Sequence, residues 1–168
     1  MQLKNALGGL AALTLLAGTA QAQTVTTADA AGIKKALAAK KGKVLLVNFW
    51  ATWCGPCVAE FPDLMKVYKA NRAKGLELVT ISCDEQADLK KVKTFLGKSG
   101  VSQGWLNSLG PDITGLMAFL DPKAPDGGGS IPRTYVIDRN GKVVKSLLGG
   151  QNTESLQKAV APYLKGKG

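Results

Sequence analysis

Two cysteines separated by two residues, in Trp53-Cys54-Gly55-Pro56-Cys57, are the residues of this 168-residue chain best suited to chemistry. A CxxC pair can exchange disulfides or hold a soft metal ion. It makes a poor structural staple, because a cross-link stabilises less as the loop it closes shortens. The attacking species in exchange is the thiolate, not the thiol. Negative charge is favoured at a helix N-terminus, where unpaired backbone N–H groups and the helix dipole face it. The pair is therefore expected to work if it lies where a strand gives way to a helix.

The flanking sequence supplies that setting. Residues 43–49, Lys-Val-Leu-Leu-Val-Asn-Phe, form a nearly continuous apolar run, suited to a central strand covered on both faces. After Cys57, Phe61, Leu64, Met65, Val67 and Tyr68 recur at helical spacing to about Ala73, and Gly75 closes that helix. Residues 76–82 read as a second buried strand, so strand, helix and strand make a parallel βαβ unit with a right-handed crossover. This order predicts an exposed, nucleophilic Cys54 and, one turn further in, a more buried resolving Cys57. Gly55 lets the turn close, and Pro56 fits the first helical turn, where its missing N–H is not needed.

The remaining elements follow from periodicity and turn chemistry. Residues 27–40 read as a helix opened by Thr27 and ended by Lys41-Gly42, and residues 87–96 as another. Residues 134–138 read as a strand, Asn140-Gly141 as a hairpin turn and 143–148 as the returning strand. Asn152 or Thr153 caps a final helix with Leu156, Val160 and Leu164 facing inward. An irregular insert covers about 97–130; it holds Trp105, a helical stretch near 113–120 and a loop whose Gly triplet reads as a flexible connector. A structureless loop that long is unusual, so one or two helices are expected within it. The fold class is α/β, a central mixed sheet flanked by helices.

Composition bounds the partners. Hydrophobic residues make up 45% of the chain, enough for the core of one domain. Residues 1–22 have the layout of a signal peptide, with Lys4, an apolar run from Ala6 to Ala17 and Ala20-Gln21-Ala22 at the cleavage position, leaving 23–168 as a single domain. An uncleaved N-terminal anchor is the alternative, although the run is short for a bilayer. A periplasmic or otherwise exported soluble monomer is expected. The net charge of +10 is scattered, with no basic block interleaved with stacking aromatics, so nucleic acid is not an expected partner. There is no His, which removes the commonest general base and metal ligand, and three Cys cannot fill a four-ligand zinc site. No cofactor or resident metal is expected beyond a redox-active disulfide. A Cu(I) chaperone using the Cys pair stays open as an alternative, with Met65 and Met117 as the soft ligands to consider.

Residues 47–57, Val-Asn-Phe-Trp-Ala-Thr-Trp-Cys-Gly-Pro-Cys, resemble the thioredoxin superfamily and, within it, the exported TlpA/ResA-like branch of thiol–disulfide reductases. The order of elements from Lys43 to the C-terminus agrees. The resemblance implies a thioredoxin-like fold and a reductase of protein disulfides. Its partners would be a protein disulfide or dithiol substrate and an exported or membrane electron donor, with cytochrome c maturation as one setting. An oxidase or isomerase in the same fold is the near alternative. It also implies that Pro132 is a cis-proline beside the redox pair and that Ile131 offers backbone hydrogen bonds to substrate. The substrate groove would then comprise Trp53, Gly55, Pro56, Ile131 and Pro132. Pro62 matches the family's helix-kinking proline.

Two departures concern proton handling. Asn48 stands where thioredoxin has a buried Asp, and Thr80 roughly where it has a Lys. Glu60, three residues after Cys57 on the same helical face, matches a functional Glu of the TlpA/ResA-like branch. Buried near the thiols, its pKa should rise, and it could accept a proton from Cys57; the alternative is an exposed Glu favoured by the helix dipole. Arg133 either brings positive charge to the groove or is solvated. Cys83 is either a third redox thiol or metal ligand, or a small buried apolar residue. Trp50 and Trp53 are read as packing around the motif, with Trp53 bordering the groove.

Overall fold

The computed structural model describes residues 24–164 apart from positions 109, 125 and 127, so the expected signal peptide lies outside the described residues. The strands are β1 (Thr24–Thr27), β2 (Val44–Trp50), β3 (Leu76–Ser82), β4 (Gln103–Leu106), β5 (Arg133–Ile137) and β6 (Val143–Leu148). The helices are α1 (Ala30–Ala38), α2 (Gly55–Asn71), α3 (Leu89–Ser99), α4 (Pro111–Leu120) and α5 (Thr153–Leu164). The strands form one mixed sheet in the order β1-β4-β3-β2-β5-β6.

All seven residues of β2 are buried, as its unbroken apolar run requires of a strand covered on both faces. It pairs parallel with β3, Val44 opposite Leu76 through Trp50 opposite Ser82, and antiparallel with β5. The β2–α2–β3 unit is thus the expected crossover. An aromatic cluster ties its layers together: Trp50 stacks against Phe61 of α2 and Phe95 of α3 at 4.7 and 4.8 Å between ring centroids, and Phe61 meets Phe95 edge-on at 4.7 Å. Such pairs contribute about 0.5–1.5 kcal/mol each beyond the area they bury. Pro62 lies inside α2, as expected.

Several boundaries differ from the sequence reading. The first helix starts at Ala30, capped by the Asp29 carboxylate, which accepts the Gly32 N–H at 2.7 Å. Thr27 belongs instead to β1, an edge strand paired parallel with β4, Thr24 opposite Gln103 through Thr27 opposite Leu106. Four-residue strands are too short to show a period of two, and Thr27 beside an Ala-rich stretch reads equally as a helix cap. Trp105 therefore lies in a strand. The insert contributes this strand and one helix, α4. The Gly triplet is not simply a flexible connector: Gly128 has φ +84°, and a Cβ there would come within 2.9 Å of the Ala118 nitrogen in α4. That glycine is where the loop presses on helix backbone.

Candidate active site

The redox motif sits at the C-terminal end of β2, where the chain turns into α2. Cys54 is the N-cap of that helix, in extended conformation, and its Sγ accepts the Cys57 N–H at 3.3 Å. Pro56 occupies the first turn. Cys54 and Cys57 are joined by a disulfide, with their Cα atoms 5.2 Å apart. The chain therefore stands in its oxidised form. Cys57 is fully buried. Cys54, expected to be exposed, is only 7% so, because its sulfur turns inward to cap the helix and bond Cys57. Gly55, Pro56 and Trp53 beside it are exposed, the last 60% so.

The register of the sheet brings the second half of the expected groove to the same place. Arg133 pairs with Phe49, so Pro132 and Ile131 continue the line to the level of Trp50 and Ala51, just ahead of the motif. The Ile131–Pro132 peptide is cis. Pro132 is buried, and its carbonyl accepts the Gly149 N–H at 2.9 Å, while Ile131 is half-buried at the rim. Beyond Gly149, Gly150 approaches Pro56 closely enough that a Cβ would touch its ring at 3.9 Å.

Glu60 lies behind the pair, 3% exposed. Its carboxylate accepts the Asn48 side-chain amide at 2.7 Å and the Gln151 backbone N–H at 2.9 Å. Burial pushes its pKa up; the two hydrogen bonds act the other way, and the nearby Asp63 charge adds to the rise. The Asn48 amide also donates to the Thr134 hydroxyl at 3.0 Å, and its carbonyl oxygen has no partner among the described residues. Glu60 lines a cleft of about 300 Å³ with Pro56, Ala59, Gly150, Gln151 and Asn152, which gives its carboxyl a route to the surface.

A second buried carboxylate holds the loop from the other side. Asp84, fully buried after β3, accepts the Thr52 N–H at 2.9 Å, the Thr52 hydroxyl at 2.5 Å and the Ser82 hydroxyl at 2.6 Å. Cys83 donates its N–H to the Trp50 carbonyl at 2.7 Å. The end of β3 thus fixes the three residues that precede Trp53-Cys54. Cys83 itself is 2% exposed, and burial together with the Asp84 charge pushes its thiol up to about 12. It is a small buried apolar residue. Among the described residues no group of three or more Cys, Asp or Glu side chains is placed to hold a metal ion.

Sequence reasoning did not find Asp84, Thr52, Ser82 or Gln151. Thr52 meets Asp84, and Gln151 meets Glu60, across segments distant in sequence, Ser82 bonds Asp84 only once the chain turns at the strand end, and only the acidic residue there gave a signal. Arg133 is neither solvated nor in the groove: it is 2% exposed and ion-paired with Asp126. The position after Pro132 begins β5, and the pleat turns this side chain inward.

The sequence model of the Redoxin family matches residues 16–162. Over 137 residues the chain is 33% identical to the thiol-disulfide oxidoreductase ResA of Bacillus thuringiensis, covering 82% of this chain and 73% of that protein. It is 30% identical to the thiol:disulfide interchange protein HelX of Rhodobacter capsulatus, covering 76% and 64%. A solved thiol:disulfide interchange protein of the thioredoxin family from Chlorobium tepidum superposes with a TM-score of 0.63 at 30% identity, covering 76% of this chain and 84% of that one. With a closed CxxC at the strand–helix junction of a matching fold, the chain belongs to the Redoxin family and is a thiol–disulfide oxidoreductase of the ResA-like branch of the thioredoxin superfamily.

Proposed function

We propose that the protein is an exported reductase of protein disulfides, with Cys54 as nucleophile, Cys57 as resolving thiol and Glu60 as the proton acceptor behind them. The observation that carries this reading is the asymmetry of the pair: Cys54 caps the helix and keeps 7% exposure beside exposed Trp53, Gly55 and Pro56, while Cys57 is fully buried one turn in, on the helix that carries Glu60. The helix N-terminus favours the Cys54 thiolate, which attacks one sulfur of a substrate disulfide. That S–S bond breaks, a Cys54–substrate bond forms and the other substrate sulfur leaves as thiolate. Cys57 loses its proton toward Glu60 and attacks the Cys54 sulfur. The mixed disulfide breaks, the second substrate thiolate leaves, and Cys54–Cys57 is oxidised while the substrate gains two electrons. An exported or membrane dithiol donor must then reduce the pair again.

Trp53, Gly55, Pro56, Ile131 and Pro132 form the walls against which the substrate chain lies. A protein whose own paired cysteines must be reduced before use, such as a cytochrome c awaiting haem at Cys-x-x-Cys-His, is a client suited to this chemistry. Export is supported by the leader-like composition of residues 1–22.

The test is reduction of insulin by the purified chain with a dithiol reductant. Wild type is expected to accelerate it and Cys54→Ser to lose all acceleration. Reduction that persists in Cys54→Ser would overturn the assignment.

A further inference from the structure

A β-strand sends alternate side chains to opposite faces. Along β5, Thr134 meets Asn48 on the Glu60 side, while Arg133 and Tyr135 turn toward the insert. The Tyr135 hydroxyl donates to the Met117 carbonyl of α4 at 3.2 Å. The Arg133 guanidinium donates to both oxygens of Asp126 at 2.5 Å, with an Asp121 oxygen 3.7 Å away. Its Nε donates to the Ser130 carbonyl at 3.5 Å and its Nη1 to the Ser146 hydroxyl at 3.4 Å. Asp126 in turn accepts the N–H groups of Gly128 and Ser130, each at 3.2 Å. The Ser130 side chain first, then the Arg133 guanidinium and the Gly128 N–H, hold the Asp126 carboxyl well below the usual carboxylate range.

The consequence lies in Ser130. Its N–H is bound by one member of the ion pair and its C=O by the other, one residue before Ile131-Pro132. The loop is fixed from the far side as well, since Gly128 rests on the backbone of α4. Arg133 is buried but the Asp126 side chain is 24% exposed, and an ion pair reached by water on one side is weak evidence for stability. Its grip on the two peptide groups that flank Ser130, next to the groove wall, points to positioning instead.

We propose that the Arg133–Asp126 pair is a positioning clamp that sets the Ser130–Ile131–Pro132 segment, and through it the insert selects which protein disulfides reach Cys54. The proposal rests on the reading of Ile131 and Pro132 as the wall of the substrate groove.

Asp126→Asn keeps the shape and removes the charge at a loop residue. Insulin reduction is measured beside the rate with DTNB, a small disulfide that needs no groove, and beside the midpoint potential of Cys54–Cys57 against glutathione. The expected result is an insulin KM raised about tenfold or more, with kcat, the DTNB rate and the midpoint unchanged. Arg133→Lys, which keeps the cation but loses the fork, is expected to do the same, and Asp126→Glu to restore KM toward wild type. Ile131→Glu, which charges the groove wall itself, serves as the reference. If it raises the insulin KM while Asp126→Asn and Arg133→Lys do not, the clamp is wrong and the groove stands. If none of the three variants changes KM, the groove reading fails and the clamp with it. A KM rise accompanied by an altered midpoint and a slower DTNB reaction would mean general loosening of the site and would also overturn the clamp.

Discussion

Three cysteines lie at one end of the sheet, and their surroundings divide them. Cys54 and Cys57 stand at the start of a 17-residue helix, with the N–H of one aimed at the sulfur of the other. Cys83 directly follows its strand beside the Asp84 carboxylate, sealed from water, with its thiol pushed up to about 12. The pair is placed where negative charge is welcomed; the lone residue is placed where it is opposed twice, by burial and by a neighbouring anion. Residue type and location in the fold are shared, so reactivity here is decided by which backbone or side-chain charges face the sulfur.

The largest effect this contrast predicts is in thiol labelling. In the reduced native protein at pH 8, a thiol of pKa about 12 is ionised in only about one molecule in ten thousand. Cys54 is expected to consume DTNB rapidly and Cys83 only after denaturation, and Cys83→Ala should leave insulin reduction unchanged. A second fast thiol that survives in Cys54→Ser/Cys57→Ser would break the comparison.

Next in size is Glu60→Gln. Without a proton acceptor, release of the substrate from its mixed disulfide should slow about a hundredfold near neutral pH, within the range of general base catalysis. The change should be tolerated by the fold, because the Asn48 amide can turn its unpartnered oxygen to the new donor. Stability gives an independent check. A carboxyl whose folded pKa is raised holds its proton in the folded state when the unfolded chain has released it. Stability is therefore lost as pH rises from the ordinary value of 4.5 through the folded pKa. Glu60→Gln should remove that slope, making the oxidised protein more stable than wild type at neutral pH and not below pH 4.5. Parallel stability curves would show that Glu60 does not titrate as described.

The smallest effect concerns the loop's anchor. Thr52→Val keeps the shape and removes the hydroxyl that donates to Asp84, at a cost of about 2 kcal/mol for a partly buried hydrogen bond to a charged acceptor. An unchanged denaturant midpoint would mean that the Thr52 N–H and Ser82 hydroxyl suffice to hold Asp84.

These residues mark how far the sequence could be read. The β2–α2 junction was legible because three signals coincide there: an apolar run long enough for a central strand, Pro56 at a helix start, and the cysteines between them. Glu60 was legible because helical spacing from Cys57 places it on the same face. Asn152 as a cap was legible from its type and position, and its carboxamide accepts the Ser155 N–H at 2.9 Å. The β1–β4 pair was not, because four-residue strands with mixed exposure carry no period and their pairing joins segments nearly eighty residues apart. Nor was the burial of Arg133. A charged side chain predicts water unless its partner is known, and Asp126 sits in a loop that offers no periodicity to place it.

The central claim is that Cys54 alone makes the bond to substrate. Its most direct test is to mix reduced Cys57→Ser protein, which cannot resolve the adduct, with a protein disulfide and to map the trapped species by mass spectrometry. The account predicts one covalent adduct, through Cys54. An adduct through Cys83, or none, would contradict it.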